Sequence, residues 1–183
     1  MKKLNLFALF LIPFLFFGQT YEVDISKSNV EWLGKKPTGS HYGTILIKDG
    51  SLELDENGEI ISGEFTLDMN SISCDDLSGN RKESIDGHLK DEDFFHSIKY
   101  PTSKFIITKV SDETIWGNLT IKDKTELISF DYTKLDKLEY NADIIIDRTK
   151  FDIKYKSKSF FSDLGDRFIY DNFNIKLNSL FLK

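Results

Sequence analysis

The sequence has one cysteine and fewer basic than acidic residues, and each shortage excludes classes of protein. A single cysteine, Cys74, excludes an internal disulfide and any metal site built from several cysteines. The 183 residues carry 30 acidic and 24 basic side chains, so the formal charge is −6. That balance argues against a nucleic-acid partner, because neutralising phosphates requires a basic surface. The length suits one domain, and no linker or repeat divides the chain.

The chain also lacks an apolar run long enough to span a bilayer. Residues 6–17 form an apolar run of 12 residues, whereas a spanning helix needs about 20. The run follows Lys2 and Lys3 and ends at Gly18, an order typical of a secretory signal peptide. We therefore predict a signal peptide over residues 1–19, a folded domain over residues 20–183, and a periplasmic or secreted location. Cleavage would leave no transmembrane segment and would shift the charge to −8, because two lysines and no acid are removed.

The folded domain alternates apolar and polar residues with a period of two, which predicts β-strands. Turn signals at Asp49-Gly50 and Asn57-Gly58 predict hairpins, since both turn residues need positive φ. The alternation continues to the end of the chain and includes Phe151, Ile153 and Tyr155. About eight strands at hairpin spacing favour an all-β sandwich or closed barrel. Residues 80–90 are the exception and predict one short helix, packed as a lid or side brace.

Recognisable catalytic motifs are missing. The three histidines, His41, His88 and His96, do not form HExxH, and the chain has neither a G-x-S-x-G elbow nor a phosphate-binding glycine loop. We therefore predict no catalytic site and no metal site. Residues distant in sequence can still meet in space, so an enzyme that acts on a hydrophobic substrate remains an alternative.

The order of short motifs along the chain resembles the YceI-like, polyisoprenoid-binding family of bacterial secreted proteins. The resemblance covers roughly residues 21–180. The motifs that carry it are Ser28–Trp32, Gly34–Lys36, Thr38–Gly43, Gly63–Ile72, Gly87–Lys90, Asp93–Phe95, Lys99–Pro101, Phe105, Trp116–Lys122, Asp147–Phe151 and Leu164–Asp166. Each motif alone is weak, and the specificity comes from their order and spacing.

The resemblance implies a lipocalin-like antiparallel β-barrel of about eight strands with one or two short helices. It also implies an apolar pore that holds an isoprenoid chain, polar groups at the mouth of the pore, and no catalytic centre. No cofactor is expected other than a bound isoprenoid lipid or quinone, and that ligand is the expected partner.

The candidate ligand contacts follow from the strand alternation, because residues two apart share a face. They are Phe65, Leu67, Met69, Phe105, Ile107, Leu119, Ile121, Ile144, Ile146, Phe173 and Ile175. His41 and Arg148 are candidates for the polar mouth, where the planar donors of an arginine suit a polar or anionic head group.

Three hypotheses follow from the sequence. The first is a non-catalytic binding protein that sequesters or carries an isoprenoid lipid or quinone-like molecule. The second is the barrel enzyme, and the third is a structural stress protein whose core is filled. The oligomeric state is left open, and a homodimer is among the states that the sequence permits.

Overall fold

A computed structural model describes residues 18–183, which include nine strands, one α-helix and two short 3-10 helices. All of the predicted signal peptide except Gly18 and Gln19 lies outside the described residues. The strands are β1 (Gln19–Glu22), β2 (Asn29–Lys36), β3 (Gly39–Leu54), β4 (Ile60–Cys74), β5 (Thr102–Ser111), β6 (Thr114–Ile121), β7 (Lys124–Asp136), β8 (Glu139–Asp147) and β9 (Asn172–Phe181). Helix α1 is Gly79–Lys90, and the 3-10 helices are Arg148–Phe151 and Gly165–Arg167.

The strands form a closed antiparallel barrel, which confirms the predicted fold class. Each strand from β2 to β9 pairs with its neighbour in sequence, and β9 returns to pair with β2. Strands β4 and β5 also pair, although α1 lies between them in the sequence. The short β1 pairs with the last residues of β3, beyond the reach of β2. Each of the eight barrel strands therefore has a pairing neighbour on both sides, although β7 pairs with β6 over residues 124–131 and with β8 only over residues 132–136.

One of the two predicted hairpins is wrong, because β3 continues through it. The chain does turn at Asn57-Gly58, where Gly58 has a φ of 76°. It does not turn at Asp49-Gly50, since β3 runs straight through and Gly50 pairs with Phe65 of β4. A Cβ at Gly50 would lie 2.8 Å from the Phe65 ring. The glycine is therefore needed for the close approach of Phe65 and not for a turn.

The inward faces of the strands form a continuous apolar core. In β8, Tyr140, Ala142, Ile144 and Ile146 are buried, while the outward Ile145 is 64% exposed. Each branched aliphatic side chain that is fully buried contributes about 1.5–3 kcal/mol of apolar burial. The period-two alternation is thus the pattern that places the core.

Strand β8 ends at Asp147, so the prediction that strand alternation continues through Phe151, Ile153 and Tyr155 is wrong. The Asp147 carboxylate accepts a hydrogen bond of 3.0 Å from the N–H of Thr149 and caps the 3-10 helix that follows. Asp152 then takes a left-handed φ of 60°. Both features redirect the chain across the end of the barrel, where Phe151 and Ile153 are still buried.

One end of the barrel is covered by these loops and by α1. Leu89 of α1 and the following Phe94 and Phe95 are buried there, as the predicted lid or brace requires. Among residues 18–183, none of the helices has both the length and the apolar character needed to cross a membrane.

Candidate functional site

A cavity of about 450 Å³ lies at the covered end of the barrel. We call it the vestibule, and it is formed where β2 and β4 end and β9 begins. Its wall includes Trp32 of β2, His88 of α1, Phe94, Tyr155 and Phe173. Its volume falls within the range of about 300–1,000 Å³ that is typical of small-molecule sites.

A second cavity, the pore, extends into the barrel and has a volume of about 100 Å³. Seventeen of its eighteen lining residues are apolar, and Ser103 is the exception. The pore is therefore a smaller and almost wholly apolar space next to the vestibule.

The structure places ten of the eleven predicted contact residues on the wall of the pore. These are Phe65, Leu67, Met69, Phe105, Leu119, Ile121, Ile144, Ile146, Phe173 and Ile175. Ile107 instead lines a cavity of about 30 Å³ nearer the far end of the barrel. The alternation thus identified which side chains point inward, and their contact with a ligand stays a prediction.

The vestibule and the pore meet at three shared residues, Ile45, Phe95 and Phe173. The Phe95 and Phe173 rings pack edge to face with their centroids 6.3 Å apart. A molecule that passes from one cavity to the other must move past this aromatic pair. Phe95 lies in the loop after α1 and Phe173 is the second residue of β9. Strand alternation therefore could not predict that the two rings meet.

Arg148 lies on the vestibule wall, but four of its five N–H donors are already used. Its guanidinium donates to the backbone oxygens of Ile153 at 2.9 Å, Ile169 at 3.0 Å and Tyr170 at 3.2 Å, and contacts Asp171 at 3.5 Å. The side chain is 2% exposed, and this burial lowers its pKa from the usual value. Arg148 therefore joins the two ends of the loop that follows β8. This role replaces the head-group contact that the sequence predicted.

His88 is the polar group of the vestibule that sequence reasoning missed. Its ring packs edge-on against Phe94 and Tyr155, with centroid distances of 5.3 and 4.2 Å. Burial lowers the pKa of His88, so the neutral ring is favoured. Its Nε2 has no hydrogen-bond partner among the described residues. An unpaired buried polar atom is costly, so this nitrogen stands out on the wall of the vestibule.

The rim of the vestibule is cationic although the whole chain is acidic. Lys35, Lys36, Lys156 and Arg167 line the cavity, with Asp166 as the acidic member of the wall. These side chains come from β2 and from the loop after β8, two segments far apart in sequence. The vestibule therefore combines an apolar interior with a rim that attracts negative charge.

His41, the second predicted mouth residue, also lines the vestibule and belongs to a cluster with Asp76 and Cys74. The Asp76 carboxylate lies 2.9 Å from His41 Nδ1 and accepts a hydrogen bond of 3.0 Å from the Cys74 thiol. The three ligand atoms lie within 4.8 Å of one another, so these are the described residues that could hold a metal ion.

The same cluster does not have the arrangement of a catalytic thiol. Burial, with the carboxylate of Asp76 beside it, raises the pKa of Cys74 to about 11, whereas an active nucleophile needs a lowered pKa. Burial alone would raise the pKa of Asp76, but hydrogen bonds from Cys74, His41 and the Tyr42 N–H lower it to about 2. Asp76 lies between the thiol and the imidazole, so His41 is not placed to take the thiol proton.

The buried thiol predicts a loss of stability at alkaline pH. Because the pKa of Cys74 is raised from 9.0 to about 11 on folding, its contribution is complete below pH 9 and is lost as the pH rises toward 11. We expect about 2 kcal/mol to be lost at pH 11, measured by urea unfolding across this range. Cys74→Ser keeps a donor for Asp76 but does not titrate there, so its stability curve should be flatter. Identical pH dependence in the two proteins would contradict the assignment.

Three comparisons with known proteins agree with this geometry. The profile of the YceI-like domain matches residues 21–181. The UPF0312 protein plu2095 of Photorhabdus laumondii is 34% identical over 89 residues, and a UPF0312 protein of Shewanella denitrificans is 28% identical over 86 residues. These matches cover 46% and 44% of the present chain but 44% and 42% of the relatives, so the chain spans less than half the length of the proteins it matches.

Solved structures share the fold at low sequence identity. Burkholderia cenocepacia BcnA superposes with a TM-score of 0.65 at 20% identity, covering 86% of the present chain and 98% of BcnA. A polyisoprenoid binding domain from Saccharophagus degradans gives 0.57 at 13% identity, covering 89% and 97%. The Campylobacter jejuni YCEI protein gives 0.54 at 22% identity, covering 75% and 83%.

Proposed function

This chain belongs to the YceI-like domain family, and from that premise we propose that it is a non-catalytic carrier of an isoprenoid lipid or quinone-like molecule. The observation that carries the proposal is the junction of the vestibule with an almost wholly apolar pore. An isoprenoid tail in the pore would gain affinity from apolar burial, about 25 cal/mol per Å² before ordering costs. The structural relative described as a polyisoprenoid binding domain supports the same ligand class.

The proposed division of labour is that the tail enters the pore and the head group stays in the vestibule. Passage requires Phe95 and Phe173 to move apart, since both line the junction. The neutral His88 would then bind a carbonyl or hydroxyl oxygen of the head group through Nε2. The non-catalytic part of the proposal is supported by the protonated Cys74 thiol, the one cysteine of the chain.

Tryptophan fluorescence offers a direct binding test. Of the two tryptophans, Trp32 lines the vestibule, whereas Trp116 contacts Lys109 on the barrel wall. We expect a quinone with an isoprenoid tail to quench Trp32, and the same quinone without a tail to bind much more weakly. Trp32→Phe should abolish the response, while Trp116→Phe should keep it. The proposal fails if the tailed quinone does not quench and no isoprenoid lipid co-purifies with the protein in native mass spectrometry.

Replacing His88 by leucine tests the head-group contact. We expect the affinity for a tailed quinone to fall about tenfold, the effect of losing one hydrogen bond. Binding of an isoprenoid hydrocarbon without a head group should not change. Because the variant removes a buried unpaired nitrogen, its free energy of unfolding should stay the same or rise. An equal loss for both ligands would show that His88 acts only through packing.

We also propose that the carrier works outside the cytoplasm, in the periplasm or as a secreted protein. The support is the sequence order of residues 1–19, with two lysines, an apolar run and a small residue. Fractionation of the host cells, with the mass of the purified protein, tests this directly. A cytoplasmic protein that retains residues 1–19 would contradict the proposed location.

A further inference from the structure

Residues 154–168 form a loop beside the vestibule, which we call the rim loop. Tyr155, Lys156 and Arg167 of this loop line the vestibule itself. Phe161 and Leu164 line a shallow groove next to it, again with Tyr155 and Lys156. The rim loop therefore lies between the cavity and its surroundings at the end of the barrel where a ligand would enter.

Two adjacent phenylalanines of the rim loop are turned toward solvent. Phe160 and Phe161 are each 49% exposed, and neither belongs to the apolar core nor lines the vestibule. A single exposed apolar residue is ordinary, but two neighbouring aromatic rings in one loop, with the half-buried Leu164, make a concentrated apolar patch. The packing of the barrel does not account for them.

The rim loop also carries an excess of basic side chains. The rim loop carries Lys154, Lys156, Lys158 and Arg167 against two acids, in a chain whose overall charge is −6. Lys154 Nζ lies 5.0 Å from the ring centroid of Phe160 and 2.6 Å from the Asp152 carboxylate, an exposed ion pair. Lys158 Nζ lies 4.0 Å from the ring centroid of Phe168. Within the rim loop, aromatic rings therefore alternate with basic side chains, while Glu92, Asp93 and Asp152 line the adjoining groove.

We propose that the rim loop docks the protein on an anionic lipid bilayer, with Phe160 and Phe161 in the interfacial region and the lysines beside lipid phosphates. Aromatic side chains favour the membrane interface, and each basic residue near an anionic surface contributes about 1 kcal/mol. Stable but reversible attachment requires both an apolar and an electrostatic signal, and the rim loop supplies both.

Docking in this orientation brings the vestibule toward the bilayer. A water-insoluble isoprenoid could then pass between membrane and barrel without crossing bulk water. The purpose of the surface rests on the proposed carrier function, but the attachment itself does not require it. An acidic protein partner would be drawn by the same charges, and the bilayer is favoured because it is the apolar phase in which such lipids reside.

Vesicle flotation tests the proposal directly. The purified protein, with all variants in the same N-terminal form, is mixed with vesicles of phosphatidylcholine alone or with added phosphatidylglycerol. We expect binding to the anionic vesicles that weakens as salt is raised. Phe160→Ser with Phe161→Ser should weaken it about tenfold, and Lys154→Gln with Lys158→Gln should reduce both the binding and its salt dependence.

The matched control removes exposed apolar side chains from the barrel wall. Leu127 and Ile145 are 62% and 64% exposed on β7 and β8, and Leu127→Ser with Ile145→Ser should leave flotation unchanged. The proposal would be overturned if the wild-type protein and the double phenylalanine variant bound equally well. It would also be overturned if the Leu127/Ile145 control lost as much binding as the phenylalanine variant, or if no protein bound the vesicles. Quenching of Trp32 by a detergent-dispersed quinone should persist in the phenylalanine variant. Flotation without any quenching would refute the carrier function and leave the docking surface standing.

Discussion

Replacing Arg148 by methionine is expected to lower the free energy of unfolding by about 4 kcal/mol. The guanidinium binds three backbone oxygens, of Ile153, Ile169 and Tyr170, which lie at the two ends of the loop after β8. Methionine fills much of the same space but leaves these acceptors, one buried and two partly buried, without the donor. Removing one partner of a buried charged network typically costs about 3–5 kcal/mol. Urea unfolding at neutral pH measures the loss.

Two further substitutions separate the hydrogen bonds of Arg148 from its charge. Arg148→Lys keeps the charge but lacks the planar set of donors, so most of the loss should remain. Arg167→Gln removes an exposed arginine of the same loop, and its effect should stay within about 0.5 kcal/mol. A lysine variant as stable as the wild type would mean that charge alone is what the site requires.

Replacing Gly43 by alanine is expected to destabilise the protein by about 3 kcal/mol, although the change adds one methyl group. Gly43 lies between Trp32 of β2 and Cys74 of β4 in the barrel wall. A Cβ there would overlap the backbone of Ser73 and approach the Cα of Cys74 to 2.9 Å. Backbone atoms of a paired strand cannot easily move aside. The expected loss of stability is therefore at the upper end of the range of about 1–3 kcal/mol that is typical of overpacked cores.

The same chemical change at Gly87 should have the opposite sign. Gly87 lies in α1, and a Cβ there would meet no atom within 4 Å. Alanine lowers the conformational entropy of the unfolded chain, so Gly87→Ala should stabilise the protein by about 0.5–1 kcal/mol. Thermal unfolding of the two variants side by side distinguishes local crowding from a general effect of losing glycine. Destabilisation of both to the same degree would contradict the account.

The small pore volume bears on how a carrier of this shape would work. The vestibule has room for a small molecule, whereas the pore offers about 100 Å³ behind the Phe95 and Phe173 pair. Longer tails must therefore displace side chains as they enter, and affinity should rise less with tail length than apolar area alone predicts.

The sequence by itself determined the all-β fold and the direction in which most side chains point, and it predicted about eight of the nine strands. Alternation with a period of two is a local property, because successive side chains of any strand lie on opposite faces. It therefore identified ten residues of the pore wall without knowledge of their neighbours. The same local reasoning failed at Asp49-Gly50, where glycine is needed because the Phe65 ring of another strand packs against it.

Only the tertiary structure decided what lies at the end of the barrel. Trp32, His88, Phe94 and Tyr155 come from a strand, a helix and two loops, and no spacing along the chain relates them. Arg148 shows the same limit, because its hydrogen-bond partners lie up to 23 residues away and occupy most of the donors that a ligand would need. Strand direction follows from neighbours in sequence, whereas a cavity and its free polar atoms follow from which distant segments pack together. The strands are therefore readable from the sequence, and the vestibule, its unpaired His88 nitrogen and its cationic aromatic rim are readable only from the folded chain.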